Sequence, residues 1–228
     1  ENKTGIPVIG VLPYINEVFP PEDSLDLLER KLDKLHTDIE IGVVKFSSIS
    51  NFSDLDPLEA EPSIKLRWIE LDECIGRPDL IILPGSKQTI GDLEKLRKSG
   101  LNAQIIDFVN KGGNIFGICG GFQMLGNKLF DPLLLERSNQ LKELSFEGLD
   151  LIAIDTFFEN DKALFQRKVE AFWPENIEIK GFELHHGISK PIVGRENELQ
   201  QISNDKSLGW LVKGSQIIGG TYLHGIFE

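Results

Sequence analysis

The sequence predicts an α/β fold in which helices flank a mainly parallel central sheet. Residues 79–83 and 114–118 are short, largely apolar runs, which are typical of strands buried on both faces of a parallel sheet. Two helical patterns lie between them, over residues 89–98 and 101–111, and Gly100 divides these two patterns. A strand, a helical connection and a second strand at this spacing predict a βαβ unit.

The residues before this unit add three predicted strands and one predicted helix. After a break at Pro20 and Pro21, Ser24 can cap a helix over residues 25–35. Residues 47–62 are rich in Ser, Asp and Pro and are predicted as a loop. The predicted strands are residues 6–12, 39–46 and 64–71.

The C-terminal third predicts an antiparallel extension of the sheet. Residues 150–228 are richer in residues that favour strands. Within them, residues 208–212 and 216–223 flank a Lys213-Gly214-Ser215 turn, and this pattern predicts an antiparallel hairpin.

Composition and charge exclude several classes of protein. Hydrophobic residues make up 40% of the 228 residues, which is enough for a core and excludes a disordered chain. The 24 basic and 36 acidic residues give a net charge of −12, which argues against binding nucleic acid or anionic lipid. No apolar run approaches the ~18 residues of a membrane span. Two cysteines are too few for a disulfide framework, and we therefore expect a reducing cytoplasm.

The most informative stretch is Gly117-Ile118-Cys119-Gly120-Gly121, between a predicted strand and a predicted helix. Glycines around a nucleophile in this context predict a sharp strand–turn–helix elbow, which exposes the nucleophile at the carboxyl edge of the sheet. The start of a helix also stabilises a thiolate. We therefore predict that Cys119 is a nucleophile, whereas Cys74 has no such framing and is interpreted as structural.

A cysteine nucleophile needs a base, and the chain has four histidines. His224 stands at the end of an apolar strand pattern and is the first candidate. His185 and His186 also lie near a predicted strand end and remain competing candidates. His36 ends a polar helix face and is interpreted as a solvated residue.

Pro84-Gly85-Ser86-Lys87 follows the first buried strand, but it lacks the spacing of a phosphate-binding loop. Because Gly85 ends a strand next to that of Cys119, we instead predict that its N–H group forms an oxyanion hole with the N–H of Gly120.

Four motifs then resemble a known family. Gly117-Ile-Cys-Gly-Gly-Phe-Gln-Met-Leu-Gly126 resembles the nucleophile motif of class I glutamine amidotransferases, which have a flavodoxin-like fold. Within that class, the other motifs resemble cobyric acid synthases; they are Leu83-Pro-Gly-Ser-Lys-Gln-Thr-Ile-Gly-Asp-Leu93, Gly181-Phe-Glu-Leu-His185 and Gly220-Thr-Tyr-Leu-His-Gly-Ile-Phe227.

The resemblance implies a glutaminase. Cys119 would attack the side-chain amide of glutamine, Gly85 and Gly120 would hold the oxyanion, His224 would protonate the ammonia, and Gln123 would help to hold the substrate. The complete enzyme would use this ammonia and ATP to amidate the corrinoid adenosylcobyrinic acid a,c-diamide in cobalamin biosynthesis. No metal site is expected in this chain, because ATP and magnesium would bind to a separate synthetase domain.

Two features differ from most class I glutamine amidotransferases. These commonly carry a carboxylate two residues after the histidine, where this chain has Ile226, and Glu183 is the acid that we expect to replace it. The chain also lacks a phosphate-binding loop and stops just after the His224 motif. We therefore expect residues 1–37 to be the tail of a preceding synthetase domain with its linker, and residues 38–228 to be a glutaminase domain that is truncated at its C-terminus.

Three alternatives remain open at this point. The chain could be the glutaminase part of another amidotransferase, such as cobyrinic acid a,c-diamide synthase or lipid II isoglutaminyl synthase. It could be a non-catalytic scaffold with the same fold, or a cysteine hydrolase that acts on another acyl compound.

Overall fold

The computed structural model describes residues 37–136 and 144–227, and the α/β fold predicted from the sequence is confirmed in them. The predicted strand over residues 6–12, the predicted helix over residues 25–35 and His36 lie outside the described residues. The proposed domain boundary at residue 37 lies at the edge of this range and stays a prediction.

Twelve strands and four helices are found among the described residues. The strands are β1 (Ile39–Val44), β2 (Ile64–Ile69), β3 (Leu80–Leu83), β4 (Asn114–Ile118), β5 (Lys128–Phe130), β6 (Ser145–Glu147), β7 (Ile154–Ala171), β8 (Ile177–Pro191), β9 (Leu199–Gln201), β10 (Gly209–Val212), β11 (Ile218–Thr221) and β12 (Leu223–His224). The helices are α1 (Asp56–Ala60), α2 (Thr89–Ser99), α3 (Leu101–Asn110) and α4 (Gly120–Leu125).

The main sheet has seven strands in the order β2-β1-β3-β4-β11-β10-β9. Its first five strands pair in parallel, and β10 and β9 add antiparallel pairs at one edge. This arrangement confirms the parallel sheet with an antiparallel C-terminal extension. Because β3 and β4 are parallel neighbours, the residues that follow their carboxyl ends lie side by side.

Helices α2 and α3 follow the predicted boundaries closely because their apolar residues recur at helical spacing. Ile90, Leu93 and Leu96 of α2 are at most 1% exposed, as are Leu101 and Ile105 of α3. Burying each such side chain contributes about 1.5–3 kcal/mol. These helices therefore pack into the core that fixes β3 and β4. No helix in the two described ranges is long and apolar enough to cross a membrane.

A second sheet has five strands in the order β12-β8-β7-β5-β6. The sequence predicts a general preference for strands in this third of the chain, but it does not predict the long β7–β8 hairpin. The predicted strand over residues 216–223 is divided between the sheets, since β11 pairs with β4 in the main sheet and β12 pairs with β8. This change of sheet brings the β7–β8 hairpin to the carboxyl edge of the main sheet.

The segment over residues 47–62 is not a simple loop. It contains a 3-10 turn over Phe52–Leu55, followed by α1. Phe52 and Leu55 are buried, and they anchor this turn beside the carboxyl ends of the parallel strands.

Candidate active site

Cys119 lies in the strained turn between β4 and α4. Its φ of 52° and ψ of −109° are rarely adopted by residues other than glycine, and such strain is typical of functional sites. The backbone N–H of Cys119 donates a hydrogen bond to Thr221 O at 2.7 Å, which joins the turn to β11. The turn has the backbone conformation that an elbow requires.

Two glycines make this turn possible. A Cβ atom at position 117 would lie 2.5 Å from the backbone N of Phe122, and one at position 121 would lie 1.9 Å from the carbonyl oxygen of Leu83. Both contacts are with backbone atoms, which cannot move away cheaply. The spacing of glycines around Cys119 therefore has a steric cause.

His224 lies beside the thiol of Cys119. The imidazole is fully buried and stacks on the ring of Phe182 at 5.1 Å between centroids, and the thiol of Cys119 is close enough to raise its pKa. Its Nδ1 is 2.6 Å from Oδ2 of Asp54, and the other oxygen of Asp54 accepts a hydrogen bond from the N–H of Gly225 at 2.9 Å. The structure thus joins a thiol, an imidazole and a carboxylate.

These contacts determine the charge of the imidazole. Burial lowers the pKa of His224, but the hydrogen bonds to Asp54 and Cys119, together with their negative charges, outweigh burial and raise it to about 9. A protonated imidazole at neutral pH stabilises a neighbouring thiolate and has a proton to donate.

Asp54 was missed from the sequence because it lies in a segment predicted as a loop. Asn51, in the same segment, places its side-chain amide nitrogen 3.2 Å from Nε2 of His224. The available signal was position, since polar residues that follow the carboxyl end of a parallel strand often form sites, and this run follows β1.

From the sequence, Glu183 is expected to contact the imidazole of His224, but in the structure it does not. Its carboxylate is buried and accepts a hydrogen bond from Arg167 at 3.0 Å, in an ion pair that raises the pKa of the guanidinium. In the β8–β12 pairing, Glu183 is opposite Leu223 rather than His224. Because side chains alternate along a strand, this register directs Glu183 to the other face. The carboxylate on His224 is that of Asp54.

Gly85 lies near the imidazole of His224, and Gly120 lies against the loop that follows Gly85. A Cβ atom at Gly85 would lie 3.5 Å from Cε1 of His224, and one at Gly120 would lie 3.0 Å from the backbone N of Ser86. Ser50 N donates to the carbonyl oxygen of Gly85 at 2.9 Å, so the segment that carries Asp54 is attached to the Gly85 loop. The arrangement brings both glycines of the predicted oxyanion hole to the site.

A buried carboxylate holds these loops together. Asp92, near the start of α2, is fully buried and accepts hydrogen bonds from the hydroxyls of Ser47 at 2.8 Å and Ser86 at 2.7 Å. It also accepts a hydrogen bond from Ser48 N at 3.2 Å. Asp92 therefore connects the segment before Asp54 to the loop after Gly85.

Gln123 is 2% exposed and its amide is already bonded within the protein. The amide nitrogen donates to the carbonyl oxygen of His186 at 2.9 Å and to the hydroxyl of Tyr222 at 3.2 Å, and its oxygen accepts a hydrogen bond from Thr89 at 3.2 Å. These bonds attach α4 to β8. The role of Gln123 in substrate binding stays a prediction.

The other two described histidines have different surroundings. His185 stacks on Tyr222 at 3.7 Å between centroids, and Nδ1 lies 3.0 Å from the carbonyl oxygen of Gly187. Burial lowers the pKa of His185 to about 4, so the imidazole is neutral at pH 7. His186 Nδ1 lies 3.4 Å from the carbonyl oxygen of Glu159. Of the three described histidines, His224 has the bonding that an acid–base group requires. Among the described residues, no group of three or more His, Cys, Asp or Glu side chains could hold a metal ion.

Comparison with solved structures supports the fold. The chain has a TM-score of 0.60 with a glutamine amidotransferase at 13% identity, with 81% of this chain and 89% of the other covered. It has a TM-score of 0.57 with PurLQS from Thermotoga maritima at 14% identity, with coverages of 82% and 87%. At these identities, the similarity shows a shared fold.

Sequence comparison identifies the family. The chain is 52% identical over 231 residues to a cobyric acid synthase of Prochlorococcus marinus strain MIT 9313, and 51% identical to one of Synechococcus sp. strain CC9605. All of this chain is covered, but only 46% and 45% of those proteins, so the chain spans about half their length. The profile of the CobB/CobQ-like glutamine amidotransferase domain matches residues 40–228. The chain therefore belongs to the CobB/CobQ-like glutamine amidotransferase domain family.

Proposed function

We propose that this chain is the glutaminase portion of a cobyric acid synthase. It hydrolyses glutamine to glutamate and ammonia, and the ammonia serves ATP-dependent amidation of adenosylcobyrinic acid a,c-diamide. Two findings support this proposal: the chain belongs to the family, and it is 52% identical in sequence to a cobyric acid synthase. ATP, magnesium and the corrinoid would bind to the other half of the longer protein. The exposed free thiol of Cys74 is compatible with a reducing, cytoplasmic location.

The first chemical step is attack on the substrate amide. The Cys119 thiolate, paired with protonated His224, forms a bond to the side-chain carbonyl carbon of glutamine. The carbonyl oxygen becomes an oxyanion, which the N–H groups of Gly85 and Gly120 stabilise. Removing one donor of such a pair typically reduces the rate by about 10²–10³-fold.

The second step releases ammonia. His224 donates its proton to the leaving nitrogen, the carbon–nitrogen bond breaks, and a γ-glutamyl thioester remains on Cys119. The now neutral imidazole takes a proton from water, which attacks the thioester. Glutamate leaves, and the thiolate–imidazolium pair is restored.

Asp54 is a positioning residue in this scheme. Its two oxygens bind Nδ1 of His224 and the N–H of Gly225, which fixes both the orientation of the ring and the strand that carries it. The Nδ1 proton then stays on Nδ1. Nε2, which lies 3.2 Å from the amide nitrogen of Asn51, is the atom that exchanges protons with the thiol, the leaving nitrogen and the water. Asp54 takes the place that Glu183 was expected to occupy.

One observation carries the proposal: Cys119 lies in a strained elbow against an imidazole that a buried carboxylate holds. The test measures ammonia release from glutamine by the wild-type chain and by the Cys119→Ser variant, with Cys74→Ser as the matched control. We expect ammonia release from the wild type and the control only. Release that survives Cys119→Ser, or its absence from the wild type, would refute the proposed chemistry.

The acceptor is tested separately in the longest reading frame that contains this chain. We expect glutamine-dependent amidation of adenosylcobyrinic acid a,c-diamide. If cobyrinic acid or lipid II is amidated instead, the proposed glutaminase activity stands and the proposed acceptor is wrong.

A further inference from the structure

We propose that one face of the β7–β8 hairpin is the surface on which the ammonia-accepting half of the longer protein docks. This face carries Leu164, Leu184 and Phe182, which we call the apolar strip. The inference rests on the proposed function, since it names the surface through which the glutaminase contacts its partner.

The apolar strip leads from the protein surface to the catalytic pair. Leu164 pairs with Leu184 across the hairpin, so their side chains share a face, and Phe182 lies two residues further along β8 on that same face. Phe182 stacks on the imidazole of His224. The carbonyl oxygen of Leu184 is 3.5 Å from Sγ of Cys119.

The outer end of the apolar strip is open to solvent. Leu164 is 69% exposed, and Leu184 and Phe182 are partly exposed. On the same face, the neighbours of Leu164 along β7 are Lys162 and Gln166, which are both exposed. An apolar centre with a polar rim is the usual anatomy of a protein–protein interface.

The occupant follows from the length of the relatives and from the chemistry of ammonia. The curated relatives are about twice as long as this chain, so each carries a second part of similar size. Free ammonia is protonated in water and is then no longer a nucleophile, so the accepting part must meet the glutaminase where ammonia leaves. His224 protonates the leaving nitrogen, which departs as neutral ammonia, and the apolar strip begins on the ring of His224. Because the apolar strip begins where ammonia is released, we infer that its partner is the remaining half of the same protein.

The geometry also couples docking to catalysis. Residues 182–184 contact the imidazole through Phe182 and the thiol through the carbonyl of Leu184. A partner that packs against the apolar strip can therefore shift the imidazole of His224 and the thiol of Cys119, which exchange the proton. Docking would adjust the catalytic pair without contributing a side chain to it.

The test uses the full-length protein with Leu164→Asp. The matched control is Ile177→Asp, which places the same charge at an exposed apolar residue of the same hairpin. Ile177 pairs with Ala171, seven residues along β7 from Leu164 and thus roughly 23 Å away. Amidation is measured once with glutamine and once with an ammonium salt, which bypasses the glutaminase.

We expect Leu164→Asp to lower glutamine-dependent amidation at least tenfold and to leave ammonium-dependent amidation within twofold of the wild type. Ile177→Asp should leave both rates within twofold. Unchanged glutamine-dependent amidation in Leu164→Asp would overturn the proposal, as would an equal loss of both rates.

A second measurement reads contact without activity. A photocrosslinking amino acid introduced at position 164 of the full-length protein should link to a peptide outside the 228 residues of this chain. A crosslink confined to this chain, or one between two copies of it, would overturn the docking surface. If the wild type releases no ammonia while the crosslink still reaches the other half, then the proposed function fails and the docking surface stands.

Discussion

Replacing Asp54 by asparagine removes the negative charge from the His224 imidazole while the side chain keeps its shape. In the wild type, one oxygen binds Nδ1 of His224 at 2.6 Å and the other accepts from the N–H of Gly225 at 2.9 Å. Asparagine has a single acceptor oxygen, so it can satisfy only one of these two donors. A hydrogen bond to a charged group contributes about 1.5–3 kcal/mol, and about 1.4 kcal/mol corresponds to tenfold in rate. We therefore expect ammonia release to fall by roughly 10- to 100-fold.

The same change should move the pH dependence. Burial lowers the pKa of His224, and the hydrogen bond to the Asp54 carboxylate opposes this effect. Without that carboxylate, the pKa of His224 should fall from about 9. The imidazolium would then lose its proton at a lower pH. The pH profile of kcat/KM for glutamine hydrolysis reads this shift, and the high-pH limb should begin at lower pH in Asp54→Asn than in the wild type.

Glu183→Gln is the matched control, because it also converts a buried acid to its amide near the site but leaves the imidazole untouched. Its ion pair with Arg167 is lost, so stability should decrease while the high-pH limb stays at its wild-type position. The reasoning is refuted if Glu183→Gln shifts the pH profile and Asp54→Asn does not.

Three further predictions test the proposed catalytic pair and Glu136, whose carboxylate accepts a hydrogen bond from Thr89 N at 2.6 Å. With 6-diazo-5-oxo-norleucine, a reactive analogue of glutamine, mass spectrometry should find rapid labelling of Cys119, although Cys74 is the more exposed thiol; comparable labelling of Cys74 would contradict the assignment. His224→Ala should lower ammonia release by roughly 10²–10⁴-fold, and His185→Ala should lower it less, because the low pKa of His185 keeps it neutral; equal losses would reopen the choice of base. Burial raises the pKa of Glu136 to about 7 from 4.5, so the stability present below pH 4.5 is lost as the pH rises through 7. In urea denaturation, Glu136→Gln should therefore exceed the wild type in stability at pH 8 but not at pH 4, and a gain at both values would exclude ionisation as the cause.

The sequence by itself determined the parallel sheet, the two helices after β3, and the position of Cys119 in the turn between a strand and a helix. These features depend on local patterns: apolar runs predict buried strands, apolar residues at helical spacing predict α2 and α3, and Gly117 and Gly121 surround Cys119 because any Cβ there would strike backbone atoms. His224 could be proposed for a similar reason, since it closes an apolar strand pattern near the end of the chain.

Only the tertiary structure decided which carboxylate meets the imidazole. Asp54 and His224 are separated by 170 residues, and they meet because the 3-10 turn after β1 packs beside the end of β12, where Asp54 contacts His224 and Gly225. Glu183 is nearer in the chain, but the register of β8 against β12 directs its side chain to Arg167. A local residue pattern predicts which side chains along one strand share a face. The register between strands and the packing of a turn depend on contacts between distant segments, and no local pattern contains these contacts.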